Sequence, residues 1–276
     1  MSKRYVSWFS AGITSTVATM IALDKYGKDN VDIIFFETGS HHPDNNRFIK
    51  ECEEKLFKKK IEIHQNPKYN TVLDVLKKGY INSPYGAFCT YELKKQVRFK
   101  LEKQRHWDHQ IFGFEFEKKE INRAVRFKEQ YPATDPIFPL IDAKITKVDA
   151  IKTIQDLGVE IPEMYKLGYA NNNCIMCVKG GMGYFNKMRK DFPKEFKELA
   201  DLEKEVGATC LKEKDKTTGK SKKLYLHDLD PNRGREQKPI TSECGVICAT
   251  EFTDVISEDT NKILKGELTM KDVKDI

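Results

Sequence analysis

Apolar and polar positions alternate along the chain in blocks that predict strands separated by helices. Tyr5–Phe9 is a short β-rich run that breaks into a small-residue turn, and Ser15–Tyr26 reads as a helix rich in Ala, Met, Ile and Leu. Positions 31–36 form an apolar run broken only by Asp32, the pattern of a strand buried on both faces of a parallel sheet. Asn45–Phe57 carries a helical stripe of Phe48, Ile49, Cys52, Leu56 and Phe57, and Ile61–His64 is a further short strand. Tyr91–Lys103 reads as helix and Gln110–Phe116 as strand. The span 146–157 opens on a T-x-x-D capping pattern and stops at Gly158. Such alternation predicts an α/β fold with a doubly wound, mostly parallel sheet and right-handed crossovers.

Beyond Gly180 the pattern changes. Met182–Val206 reads as one largely helical stretch, Lys212–Lys223 as an exposed Lys-rich loop or hairpin, and the last thirty or so residues as a Cys-bearing turn followed by short helices. The expected division is a nucleotide-binding α/β domain over 1–180 and a small, mainly helical C-terminal appendage over 181–276.

The 276 residues suit one large domain with an appendage. The net charge of +6, from 48 basic and 42 acidic residues, permits an anionic partner but lacks the dense basic footprint of a dedicated nucleic-acid binder. Lys3-Arg4 and the apolar stretch to Leu23 imitate a signal peptide, but Ser and Thr interrupt it and no apolar run reaches membrane-span length. The expectation is a cytoplasmic protein with no membrane partner. Seven cysteines, at 52, 89, 174, 177, 210, 244 and 248, are an odd count with two closely spaced pairs. That pattern favours a reducing compartment and metal or thiol chemistry over a secreted disulfide framework.

The turn after the first strand, Ser10-Ala11-Gly12-Ile13-Thr14-Ser15, carries the first candidate chemistry. Unpaired N–H groups at a helix start favour an anion, Gly12 allows close backbone approach, and Ser10, Thr14 and Ser15 add hydroxyls. Small residues after a first strand are common, so this signal alone does not exceed an ordinary β–α turn.

The loop resembles the S-G-G-x-D-S pyrophosphate loop of adenine nucleotide α-hydrolase-like enzymes, especially the phosphoadenylyl-sulfate (PAPS) reductase family. Further matches follow in that family's order. Glu37-Thr38-Gly39 with Pro43 resembles D-T-G-x-x-F-P-E, and Cys89-Thr90 with Lys94-Lys95 resembles its Cys-to-Lys segment. Gly113, Glu120 and Arg123 resemble G-x-R-x-x-E-S-x-x-R. Leu167-Gly168-Tyr169 before Cys174-Ile175-Met176-Cys177 resembles G-Y-x-S-x-G-C-x-x-C, and Glu243-Cys244-Gly245 resembles the E-C-G-x-H tail. Within the family the chain looks most like the PAPS-reductase-like proteins of phages and prophages. It departs at Ala11, which replaces a loop glycine, at Thr14, which replaces the loop aspartate, and after Gly245, where the tail histidine is missing.

The resemblance implies an adenine nucleotide (PAPS, APS or ATP) held by Ser10 to Ser15, Thr38, Gly39, Lys94, Gly113 and Arg123. It also leans toward a [4Fe–4S] cluster. Cys174 and Cys177 can supply two thiolates and Cys244 and Cys248 two more, although the spacing itself leaves zinc open. Family members with a cluster have two adjacent cysteines where this chain has Phe88-Cys89, so Cys89 is the competing ligand. In that arrangement Cys244 is free as the nucleophile. Cys52 lies on an apolar stripe and reads as core, and Cys210 as a bystander. His41 and His42 form a loop pair, which rarely makes a metal site by itself.

Three functions follow from the resemblance. One is thiol-dependent reduction of a sulfonucleotide, with Cys244 or Cys89 attacking sulfur and a thioredoxin-like dithiol as reductant. The second is ATP-dependent thiolation of DNA or tRNA, with basic surface facing nucleic acid. The third is non-catalytic nucleotide binding.

Overall fold

A computed structural model describes residues 2–83, 86–215 and 217–236. Its strands, in chain order, are Tyr5–Phe9 (β1), Val31–Glu37 (β2), Glu62–Gln65 (β3), Asn82–Ser83 (β4), Gly86–Ala87 (β5), His109–Ile111 (β6), Pro136–Ile137 (β7), Leu211–Lys214 (β8) and Ser221–Leu224 (β9). Five of them form one sheet in the order β3-β2-β1-β6-β7, and every neighbouring pair is parallel. The chain winds outward from β1 to β3, then returns to the other side of β1 for β6 and β7. This is the doubly wound α/β architecture expected from the sequence, with its topological switch between β1 and β6.

Helices cover both faces. Tyr5 and Phe9 of β1 belong to a core with Ile13, Val17 and Ala18 of helix Ile13–Tyr26 and with Ile151 and Ile154 of helix Lys147–Asp156. Val6 points the other way, into a core with Ile34, Val97, Leu101 and Trp107. That division is the two-residue period of a strand read directly in space. Thr146 caps helix Lys147–Asp156 in the expected box, each of Thr146 and Asp149 accepting from the other's backbone N–H.

A second core lies beyond the sheet. Val72, Val75 and Leu76 of helix Val72–Leu76 pack with Ile175, Met176 and Val178, with Phe185 and Met188 of helix Met182–Asp191, and with Leu199 of helix Pro193–Val206. The β8–β9 hairpin adds Leu211 and Leu224. The Cys174–Cys177 segment therefore places its apolar side chains in this second core, with Cys174 packed against it.

Three expectations change. The strand expected over 110–116 ends at Ile111, because Phe112, Phe114 and Phe116 leave the sheet for an aromatic cluster with Phe127 and Phe138. The single helix over 182–206 is two, broken at Phe192, since Pro193 has no N–H to continue the first. Helix Lys118–Gln130 went unread because charged residues surround its narrow stripe of Ile121, Ala124 and Val125. No helix among the described residues is long and apolar enough to cross a membrane.

Candidate functional site: a helix-start loop joined to a thiol

The loop after β1 ends on a helix that begins at Ile13, two residues before its expected start. Gly12 supplies no side-chain cap, and Ile13 N–H reaches the Tyr165 hydroxyl at 3.4 Å. Ser15 Oγ knits the turn. It accepts from Ser10 N at 3.1 Å and Ser10 Oγ at 3.0 Å, and donates to Gly12 O at 2.9 Å. Gly12 has an extended backbone, whereas the unusual geometry falls on Ala11, with φ of 56°. This left-handed conformation is rare for a residue with a β-carbon. The Asn172 amide stabilises it by donating to Ala11 O at 2.7 Å. Thr14 is half-buried in the first turn.

The opposite wall follows β6. A β-carbon at Gly113 would stand 2.6 Å from both Ser15 N and Ser15 Cα, so glycine here allows β6 to approach the helix start. Glu115 is buried and pairs with Lys147 at 3.1 Å, and burial, its largest influence, raises its pKa. Lys147 also donates to Asn171 Oδ1 at 3.1 Å. Arg123 lies farther out. It is 59% exposed, covers the Phe114 ring at 4.2 Å and pairs with Glu120 at 3.0 Å.

Thr38 and Gly39 follow β2, but their N–H groups are occupied. Both donate to Glu37 Oε1, at 2.7 and 2.6 Å. Gly39 has φ of 61°, and a β-carbon there would lie 2.0 Å from Asn70 O. The same Glu37 oxygen accepts from His41 Nδ1 at 3.2 Å. These contacts, the His41 bond foremost, hold the Glu37 carboxyl down at about 2 against the opposing effect of burial.

Thr38 Oγ1 lies 3.1 Å from the Cys174 sulfur, and the His41 ring acts on the same thiol. Burial is the largest single influence on that thiol and raises its pKa. His41, through its hydrogen bond and charge, with Lys94 and Thr38, outweighs burial and brings the pKa down to about 7. The His41 pKa is raised in the pair: burial opposes the charged ring, and the bonds to Cys174 and Glu37 overcome it. The result is a carboxylate–imidazole–thiol relay at the C-terminal end of β2. Sequence reading passed over it because Cys174 stands 133 residues beyond His41. The one local signal was Glu37 and His41 four residues apart across a turn.

The other cysteines differ. Burial raises Cys177, pushes Cys89 up to about 11 and Cys52 up to about 12. Cys210 is raised well above its ordinary value, by burial first and then by Glu203. Cys89 therefore stays a thiol at neutral pH. Lys94 belongs to the helical turn Tyr91–Lys95, and Lys95 turns to the Tyr131 hydroxyl at 3.4 Å. A small cleft beside Cys89 is lined by Phe88, Thr90, Tyr91, Lys95 and Lys179.

Among the described residues, no three His, Cys, Asp or Glu side chains converge on a point where a metal would sit. Cys174 lies against Thr38 and His41. Of the four expected ligands, Cys174 and Cys177 lie among the described residues and Cys244 and Cys248 lie outside them.

Fold and site define a doubly wound α/β protein with a helix-start loop after β1 and a polarised thiol after β2. The chain belongs to the phosphoadenosine phosphosulfate reductase domain family, whose model matches residues 4–180. Two solved structures resemble it. A phosphoadenylyl-sulfate (PAPS) reductase from Candida auris, in a phosphate complex, is 16% identical over 61% of this chain and 80% of its own, with a TM-score of 0.45. The U34-tRNA thiolase NcsA from Methanococcus maripaludis, with its [4Fe-4S] cluster, is 17% identical over 75% of this chain and 73% of its own, with a TM-score of 0.44. No curated protein matches the chain.

Proposed function

We propose that the chain is an adenine-nucleotide-dependent enzyme of sulfur chemistry that reduces a sulfonucleotide through Cys174. The observation that carries this is the Glu37–His41–Cys174 relay placed next to the helix-start loop. Family membership supports the nucleotide class. Nucleotide phosphates bind the N–H groups at the start of helix Ile13–Tyr26, with Ser10, Thr14 and Ser15 as hydroxyl donors. Cys174, part thiolate near neutrality, attacks the sulfur of the sulfo group, a Cys174 thiosulfonate forms and the adenine nucleotide leaves. His41 holds the sulfur as thiolate and Glu37 orients His41. Lys94 adds positive charge. Arg123 binds the outer anionic end of the nucleotide by swinging away from Glu120.

This reading moves the reactive thiol from Cys244 and Cys89 to Cys174. Cys89 lacks an acid–base partner of this kind, and its raised pKa opposes nucleophilic use. Likeness to the phage and prophage branch rests on the sequence motifs alone. The test is sulfite release from PAPS or APS with a dithiol reductant. Wild type is expected to release sulfite and Cys174→Ser to release none. Equal rates in the two would overturn the assignment.

The cleft beside Cys89 favours a second reading. Phe88, the 43%-exposed Tyr91, Lys95 and Lys179 together suit a stacked base with its phosphate, the acceptor of an ATP-dependent thiolation. Pyrophosphate release from ATP that depends on added RNA or DNA would support it, and sulfite release from a sulfonucleotide in its place would set it aside.

A further inference from the structure

We propose that Glu115 sets the specificity of the nucleotide site: its carboxylate accepts a ribose hydroxyl and selects a nucleotide with a free 3′-hydroxyl over one with a 3′-phosphate. Resting on the nucleotide reading above, this narrows the sulfonucleotide to APS rather than PAPS.

Glu115 is 9% exposed, and its two oxygens are unequal. Oε1 pairs with Lys147 Nζ at 3.1 Å. Oε2 is buried and has no hydrogen-bond partner among the described residues. A buried carboxylate oxygen without a donor is costly, so such an atom points to a donor that arrives with a ligand. Lys147 has nothing left to give it. Its three N–H donors are matched by Glu115 Oε1, by Asn171 Oδ1 at 3.1 Å and by Ala170 O at 3.3 Å. The pair therefore offers an incoming molecule an acceptor and no spare cation.

The acceptor stands close to the helix start. Gly113 approaches Ser15 so nearly that a β-carbon would lie 2.6 Å from Ser15 N. Glu115 follows two residues later, at most about 7 Å along the chain. Its charge acts on the Tyr165 hydroxyl, which accepts from Ile13 N at 3.4 Å. The Lys147 and Glu115 side chains are 19% and 11% exposed, so the pair borders solvent. The terminal torsion of a glutamate is soft, and Oε2 can meet a ligand without backbone movement. With a phosphate on the helix start, the first donors along a nucleotide are the ribose hydroxyls.

The charges around Glu115 favour a hydroxyl. Lys147 stabilises the carboxylate, and Glu120 and Glu117 act on it as like charges. A 3′-phosphate would remove one donor and set a dianion against them. The same rule operates in dinucleotide sites, where an acidic side chain takes the ribose 2′-hydroxyl and a 2′-phosphate calls for an arginine.

The experiment titrates the full chain by calorimetry with AMP and with adenosine 3′,5′-bisphosphate, the nucleotides that APS and PAPS leave behind. Wild type is expected to bind AMP at least about tenfold more tightly, the weight of one hydrogen bond to a charged group. Glu115→Gln keeps the shape, removes the negative charge and frees that of Lys147, so the preference should vanish or reverse. Equal affinities in wild type would overturn the selection. An unchanged ratio in Glu115→Gln would reduce Glu115 to a structural partner of Lys147 and overturn its role. A third measurement needs no variant: 2′-deoxy-AMP or 3′-deoxy-AMP should bind wild type several-fold more weakly than AMP, and full affinity for both would overturn the hydroxyl contact. Failure of folded wild type to bind any of these nucleotides would overturn the nucleotide reading, and the selection with it.

Discussion

The side-chain amide of Asn172 donates to the main-chain oxygen of Ala11 at 2.7 Å, tying the thiol loop to the helix-start loop across 161 positions of sequence. The same amide group reaches Asn45 Oδ1 at 2.8 Å, and the Tyr165 hydroxyl bridges the same two loops by accepting from Ile13 and Asn172 N–H. The helix-start loop and the thiol loop are thereby one mechanical unit.

Asn172→Ala is expected to cost about 1–3 kcal/mol of stability, because it leaves the buried Ala11 carbonyl without its donor. The measurable signature is a double loss: a lower denaturation midpoint and weaker nucleotide binding by calorimetry. Unchanged affinity in a folded variant would show the two loops to be independent.

Cys174 should alkylate along a curve centred near pH 7. The thiolate is the reactive form, so the rate rises with pH through the folded value of about 7 and flattens above it. His41→Ala removes the partner while burial persists, which moves the curve up. At neutral pH the rate should fall at least about tenfold. Iodoacetamide labelling with peptide mapping between about pH 5.5 and 9.5 reads both curves. A wild-type midpoint near the ordinary thiol value of 9.0 would contradict the relay.

Glu37 links the relay to acid stability. Its folded pKa, about 2, lies below its ordinary 4.5, so its contribution is fully present above the ordinary value and is lost as pH falls through the interval between them. Glu37→Gln should therefore lower Tm at neutral pH, and the gap to wild type should narrow on acidification toward about pH 3. A gap that stays constant with pH would mean that the carboxylate's charge has no part in it.

Gly113→Ala is expected to destabilise by about 1–3 kcal/mol, since the new methyl meets Ser15 backbone at 2.6 Å and must push the helix start away from β6. Chemical denaturation gives the stability, and titration with an adenine nucleotide should show binding weakened beyond what partial unfolding explains. Wild-type values in both would mean that the helix yields without consequence.

The sheet was legible because strand and helix periods are local. Tyr5–Phe9, the buried run after position 31 and the Thr146–Asp149 box all declare themselves within a few residues. The Ser10–Ser15 loop was equally plain. The relay was not, since Glu37, His41 and Cys174 meet only when the return path of the chain is known. Family motifs pointed to Thr38 and Gly39, and the bonds of their N–H groups to Glu37 appear only in the folded chain. Gly113 was singled out by motif, while its physical reason, contact with Ser15, exists only in three dimensions.

Among the described residues, the strand order leaves β3 and β7 at the two borders of the sheet. The β7 border is two residues long and begins with Pro136, which has no N–H to offer an incoming strand. The β3 border is longer and carries Ile63 at 58% exposure, with Glu62 held by Arg105 at 2.7 Å. Recruitment of a foreign strand, and with it any sheet-driven aggregation of the folded chain, is therefore directed to β3, where the Glu62–Arg105 pair acts as gatekeeper.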